Sequence, residues 1–262
     1  MTNIRSHFCT FFLALIFCVV SPARAAQPLY GKNLIVSAPC LSALHITTSA
    51  TLRSDAEPEH PVPAGVTITT DPKTSSIVII QKECAAQPLT IKTRPELPLT
   101  LDNTGKTPVT LDDRSSTVFI KAGSAPLEMG RAGELGLIAT GGPVTIRTLS
   151  ASARIREEAS ATLTINEVAA PALALYLGDQ SSFLAKAGHL QALEVTSAST
   201  KNAVFHITTE IGIFRTVSEG DIVVDRVSGT LATERGSSGR IMPNAAAPRG
   251  KQRADTANAL PQ

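Results

Sequence analysis

From Asn33 onward, apolar residues recur in short runs with a period of two: Leu34-Ile35-Val36, Leu44-His45-Ile46, Val66-Thr67-Ile68-Thr69, Ile77-Val78-Ile79-Ile80 and Leu89-Thr90-Ile91. Alternation of this kind, rich in β-branched residues, predicts strands. Pro39, Pro58, Pro61, Pro63, Gly65, Asp71-Pro72 and Pro88 stand between the runs, where a strand stops or turns. The pattern then tightens through Val109-Thr110-Leu111, Val118-Phe119-Ile120, Leu135-Gly136-Leu137-Ile138, Val144-Thr145-Ile146, Leu163-Thr164-Ile165 and Leu173-Ala174-Leu175. It continues to Ile222-Val223-Val224, and no long amphipathic helix interrupts it.

Val144-Thr145-Ile146 and Leu163-Thr164-Ile165 lie 19 residues apart, and Leu193-Glu194-Val195 lies 30 further on. Strands of three to five residues at this spacing are too short for a wide sandwich. They fit an all-β parallel β-helix, or solenoid, whose coils of about 20 residues each borrow backbone hydrogen bonds from their neighbours. An antiparallel β-sandwich or barrel is the alternative, since it too uses many short strands and turns.

The ends of the chain read differently. Residues 1–25 carry Arg5, an apolar run from Phe8 to Val20 and the triplet Ala23-Arg24-Ala25, the layout of a secretory signal peptide cleaved between Ala25 and Ala26. The run is shorter than a bilayer-crossing helix, and no second one follows, so no transmembrane segment is expected after signal removal. The periodic domain is expected to span residues 26–235. Residues 236–262, rich in Ala and Pro and carrying Arg240, Arg249, Lys251 and Arg253 against Asp255, read as a disordered basic tail.

Removal of the signal takes Cys9 and Cys18 with it and leaves Cys40 and Cys84. In an oxidising compartment they are expected to form a disulfide. Two cysteines with no near partner motif do not complete a metal shell. The whole sequence has 24 basic and 22 acidic side chains; without Arg5 and Arg24 the two signs balance, which disfavours a nucleic-acid partner. With no Trp and only two Tyr, the core must be aliphatic and a sugar-stacking groove is poorly supplied.

The N-terminal strand pair, the Val66–Ile80 block and the V-x-I, L-x-I and L-x-V strands separated by turns such as Ala139-Thr140-Gly141-Gly142 and Val227-Ser228-Gly229 resemble the head-GIN domain, or auto-transporter adhesin, family. The resemblance spans roughly Asn33 to Thr233. It implies an exported bacterial right-handed β-helix with no known catalytic residues.

The search for chemistry finds no G-x-S-x-G, H-E-x-x-H or phosphate-loop motif. His45, His60, His189 and His206 are scattered, and His206 and Glu210, four apart on a strand, sit about 13 Å from one another, too far to share an ion. Asp112-Asp113-Arg114 is the best carboxylate pair for glycoside chemistry, which needs two carboxyls at a set separation. A solvated turn with a local salt bridge is the simpler reading for it, and equally for Glu157-Glu158 and for Asp221 with Asp225. Gly130, Gly133 and Gly136 are expected as corner glycines with positive φ. No cofactor and no metal site is expected. The function read from all this is a non-enzymatic exported scaffold of the cell envelope, periplasmic or secreted, that binds a glycan or protein in adhesin-like fashion. A carbohydrate-active β-helix lyase or hydrolase and a periplasmic lipid- or glycan-carrying module are the alternatives.

Overall fold

A computed structural model describes residues 27–243. The expected cleavage point between Ala25 and Ala26, and most of the expected tail, lie outside the described residues. The chain is all-β and winds as a parallel solenoid. One sheet holds β1 (Asn33–Ser37), β5 (Ser76–Gln81), β7 (Leu99–Asn103), β9 (Val118–Ala122), β11 (Leu135–Ala139) and β13 (Ala153–Glu157). The other holds β2 (Leu44–Thr48), β6 (Leu89–Thr93), β8 (Val109–Leu111), β10 (Leu127–Ala132), β12 (Pro143–Leu149) and β15 (Ser182–Ala185). Beyond β13 the chain uses longer strands: β14 (Thr162–Asp179), β16 (Gly188–Ser199), β17 (Ala203–Thr216) and β18 (Ile222–Arg235).

Parallel register excludes the sandwich alternative. Val144 pairs with Leu163 and Ile146 with Ile165, so the 19-residue spacing is one full coil. Leu193 stacks instead on Leu173 in the first sheet, so the 30-residue step is one coil and a half. Inward rows such as Leu127, Val144, Leu163, Phe183, Ala203 and Ile222 are buried along their whole length. A fully buried Leu or Ile contributes about 1.5–3 kcal/mol. The strands are not all of three to five residues as expected: β14 runs for 18 residues, pairing with β12 through Val168 and with β16 from Val168 onward. Small side chains at Ala169, Ala170 and Ala172 let the chain round that corner while staying extended.

Chain order and stacking order part company at the N-terminal end. The coil made by β1 and β2 lies between β5 and β6 on one side and β7 and β8 on the other. Two antiparallel strands close that end: β4 (Val66–Asp71) on β5, and β3 (Ala56–Pro58) on β6. They shield a sheet edge that would otherwise template another chain. Cys40, in the β1–β2 corner, and Cys84, in the β5–β6 corner, form a disulfide with a Cα separation of 5.1 Å. It ties the end coil to the one that precedes it in sequence, and the Cys40 amide donates to Gln81 Oε1 at 2.9 Å. Chain entropy gives about 4 kcal/mol for such a loop. A chain beginning at Ala26 is therefore expected to show no reactive thiol when unfolded without reductant, and to lose about 3–4 kcal/mol of stability on reduction; two titratable thiols would disprove the bridge.

Among the described residues the opposite end has no capping strand of this kind. Every residue of β18 from Gly229 to Arg235 is exposed, including Leu231 at 41%. The periodic pattern was expected to finish at Arg235, yet β19 (Ile241–Pro243) adds a strand on Ile222–Val224. Arg240, expected to belong to the basic tail, pairs with Asp221 at 2.7 Å.

Candidate functional site

Outward positions of the second sheet form a polar face. On it a cleft of about 540 Å³ is lined by Thr48, Thr110, Asp112, Asp113, Glu128, Thr145, Arg147 and Asn166, among others. The structure therefore brings Asp112 and Asp113 to one cleft, but each carboxylate is engaged in holding coils together. Asp112 Oδ2 accepts the Thr48 amide at 3.1 Å. Asp113 Oδ1 accepts the Arg131 amide at 2.7 Å and the Arg147 guanidinium. Partial burial opposes ionisation of Asp113, but the Arg131 amide and Arg147 together hold its pKa below the ordinary value. Asn166 Oδ1 lies out of solvent with no hydrogen-bond partner among the described residues, an acceptor left over at the cleft wall.

Arg114 corrects the expectation of a local salt bridge. It is 1% exposed and turns inward, donating to Thr93 Oγ1 at 2.9 Å and to the Leu97 and Arg94 carbonyls. Burial brings its pKa down to about 10, opposed by the more distant charges of Asp112 and Glu96. Glu157 is the second correction. Glu158 pairs with Arg156 at 2.5 Å on the surface, but Glu157 is fully buried, and neither of its carboxyl oxygens has a partner among the described residues. Desolvation raises its pKa to about 9. The alternation Ala153, Ile155, Glu157 put it on the inward parity, a signal already present in the sequence.

Asp221 and Asp225 do not converge. The first pairs with Arg240, which lowers its pKa, and the second with His206 Nδ1 at 3.2 Å on the neighbouring strand. Among the described residues no three His, Cys, Asp or Glu side chains are grouped to hold a metal. Gly130, Gly133 and Gly136 were expected at positive φ; among the described residues the glycines with positive φ are Gly65, Gly105 and Gly188. Close packing explains the trio instead: a Cβ would strike the Asp113 carboxylate at Gly130, the Ser116 carbonyl at Gly133 and the Phe119 ring at Gly136.

A second groove, of about 600 Å³, crosses the outer face of the first sheet. Its floor is small, with Gly136, Ala172, Ala174 and Ala192, and Phe119 stands at one end with Ile211 and Ile213 at the other. The sequence reading missed it, because small outward residues within Leu173-Ala174-Leu175 and its neighbours look the same as ordinary strand filler.

The architecture has a solved counterpart. A crystal structure of a candidate adhesin from Parabacteroides distasonis overlays with a TM-score of 0.58 at 14% identity, across 83% of this chain and 94% of that one. The two chains share a fold. A candidate cell-adhesion protein from Clostridium sporogenes aligns over 80% of this chain and 97% of that one at 7% identity, but its TM-score of 0.23 is too low to bear on the fold. No family profile matches the sequence, and no curated protein matches it. No described helix is long and apolar enough to cross a membrane.

Proposed function

We propose that the protein is an exported, non-enzymatic β-solenoid scaffold of the bacterial cell envelope that binds a polar surface partner, a glycan or a protein, in adhesin-like fashion. The Cys40–Cys84 disulfide supports an oxidising location, and the adhesin designation of the Parabacteroides protein of the same fold supports the class of activity. The observation that carries the reading is the polar cleft of the second sheet. Its threonines, Glu128, Arg147 and the Asn166 side chain line it with hydrogen-bonding groups, while Asp112 and Asp113 accept from backbone amides and an arginine. Such carboxylates position coils and bind polar groups; they are not free to trade protons with a glycosidic oxygen.

Export predicts a mature N-terminus at Ala26 in the envelope fraction. The mature protein is expected to retain polysaccharides or cell surfaces in a pull-down without turning any of them over. Replacing Asn166 or Arg147 with Ala should weaken that retention. Turnover that fell about 100-fold or more in Asp112→Asn or Asp113→Asn, as loss of an acid or base entails, would replace this reading with the carbohydrate-active one.

A further inference from the structure

The outer face of the first sheet carries a pattern complementary to itself. Along one outward column, register pairs Phe119 with Gly136, Gly136 with Arg154, Arg154 with Ala174, Ala174 with Glu194, Glu194 with Ile213 and Ile213 with Ala232. Ala174 is the midpoint. Arg154 and Glu194 flank it at one strand spacing each, about 10 Å from one another across the column. Both are exposed, and neither has an ion pair or a side-chain hydrogen bond among the described residues. Elsewhere on the same sheet, Lys121, Arg156 and Arg215 all have acidic partners within the chain. Ile211 and Ile213 are 43% and 49% exposed on the same face, and apolar surface gathered in this way marks a contact.

We infer that this face binds a second copy of the chain about a two-fold axis that passes over Ala174 and runs along the strands, with the two solenoids antiparallel. Under that operation Arg154 meets the partner's Glu194 and Glu194 meets the partner's Arg154, so the dimer gains two ion pairs and leaves neither charge unmatched. Ala174 faces its own equivalent, so no bulky side chain separates the copies at the centre of the column. Ile213 meets the flat patch where the Phe119 ring leans over Gly136, and Phe119 meets the small Ala232. Along this column the protruding Phe119 and Ile213 thus each face a small or flat side chain, and Tyr176, one outward step along the axis, faces its own equivalent. A parallel arrangement of the solenoids would instead oppose Arg154 to Arg154 and Glu194 to Glu194. An isologous contact of this kind is the commonest way for a chain to pair with itself.

The column crosses seven strands, about 29 Å, and the face is about three outward residues wide, giving roughly 500 Å² of sheet per copy. Standard interfaces bury about 800 Å² per partner, so a weak, reversible dimer is expected. The inference does not depend on the adhesin reading, which concerns the other sheet.

Sedimentation velocity on the mature chain tests it. The unsubstituted protein should pass from monomer to dimer as its concentration is raised. Arg154→Glu and Glu194→Arg should each weaken dimerisation at least about 100-fold, because each creates two like-charged contacts per dimer. The double variant Arg154→Glu with Glu194→Arg restores opposite charges and should recover dimerisation to within about tenfold of the original. Ala174→Gln, which leaves those charges alone but thickens the axis, should also be monomeric, and far-UV circular dichroism on each variant establishes that it is folded. A monomer at all concentrations, a double variant as weak as the singles, or a monomer whose groove takes up a fluorescent fatty-acid probe would overturn the proposal.

Discussion

Replacing Glu157 with Gln is expected to make the protein progressively more stable than the unsubstituted chain as pH rises from about 5 to about 8. The carboxyl is buried without a partner among the described residues, and desolvation lifts its pKa to about 9 from an ordinary 4.5. Between those values the folded chain holds a proton that the unfolded chain has already released. The contribution of Glu157 to stability is therefore complete below the unfolded value and is lost as pH climbs toward the folded one. The slope is at most about 1.4 kcal/mol per pH unit, so the gap between the two proteins should reach several kcal/mol by mildly alkaline pH. Gln keeps the shape and has no charge to desolvate. Urea denaturation at a series of pH values reads the difference directly, and parallel stability curves for the two proteins would show that water or a shift of the coil already solvates the carboxylate.

Arg114→Met should be the most damaging single substitution of a surface-like residue type, costing about 3–5 kcal/mol at neutral pH. The guanidinium bonds Thr93 Oγ1 and the carbonyls of Arg94 and Leu97, and so fixes the corner that leads from β6 to β7. Met restores the volume but takes the donor from Thr93 Oγ1 and leaves the Leu97 and Arg94 carbonyls with only the Ser116 hydroxyl and the Leu97 amide. Arg114→Lys should fall between, because one ammonium cannot span the fork that the guanidinium fills. A shift in the denaturation midpoint corresponding to less than about 1 kcal/mol for Arg114→Met would mean that the corner holds itself.

What the sequence made legible, and what it did not, follows from how local the information is. The 19-residue offset between Val144 and Leu163 was readable because a coil repeats its inward residues at its own circumference, and the structure pairs those residues directly. Cys40 and Cys84 were readable as a pair because the other two thiols, Cys9 and Cys18, fall within the expected signal. Arg114 and Glu157 were not read correctly. A charged residue beside another charge looks solvated in sequence, and only strand parity, which places Glu157 with Ala153 and Ile155, contradicts that. The two outer faces were invisible for a different reason. They are columns built from one residue per coil, so Arg154, Ala174 and Glu194 become neighbours only once register is known.

The displaced coil at the N-terminal end bears on the order in which the molecule assembles. Along the body, a new strand docks on one made 17 to 20 residues before it, as Leu135 does on Val118 and Leu193 on Leu173. β7 must instead find β1 across 65 residues, from Leu34 to Leu99, after the segment between has folded away to build the cap. Loop closure over that span costs about 1 kcal/mol more than over a single coil, and it has to precede the contacts that reward it. The first strands to leave the ribosome thus wait for about 65 further residues before both their neighbours exist, where a strand of the body waits for about one coil.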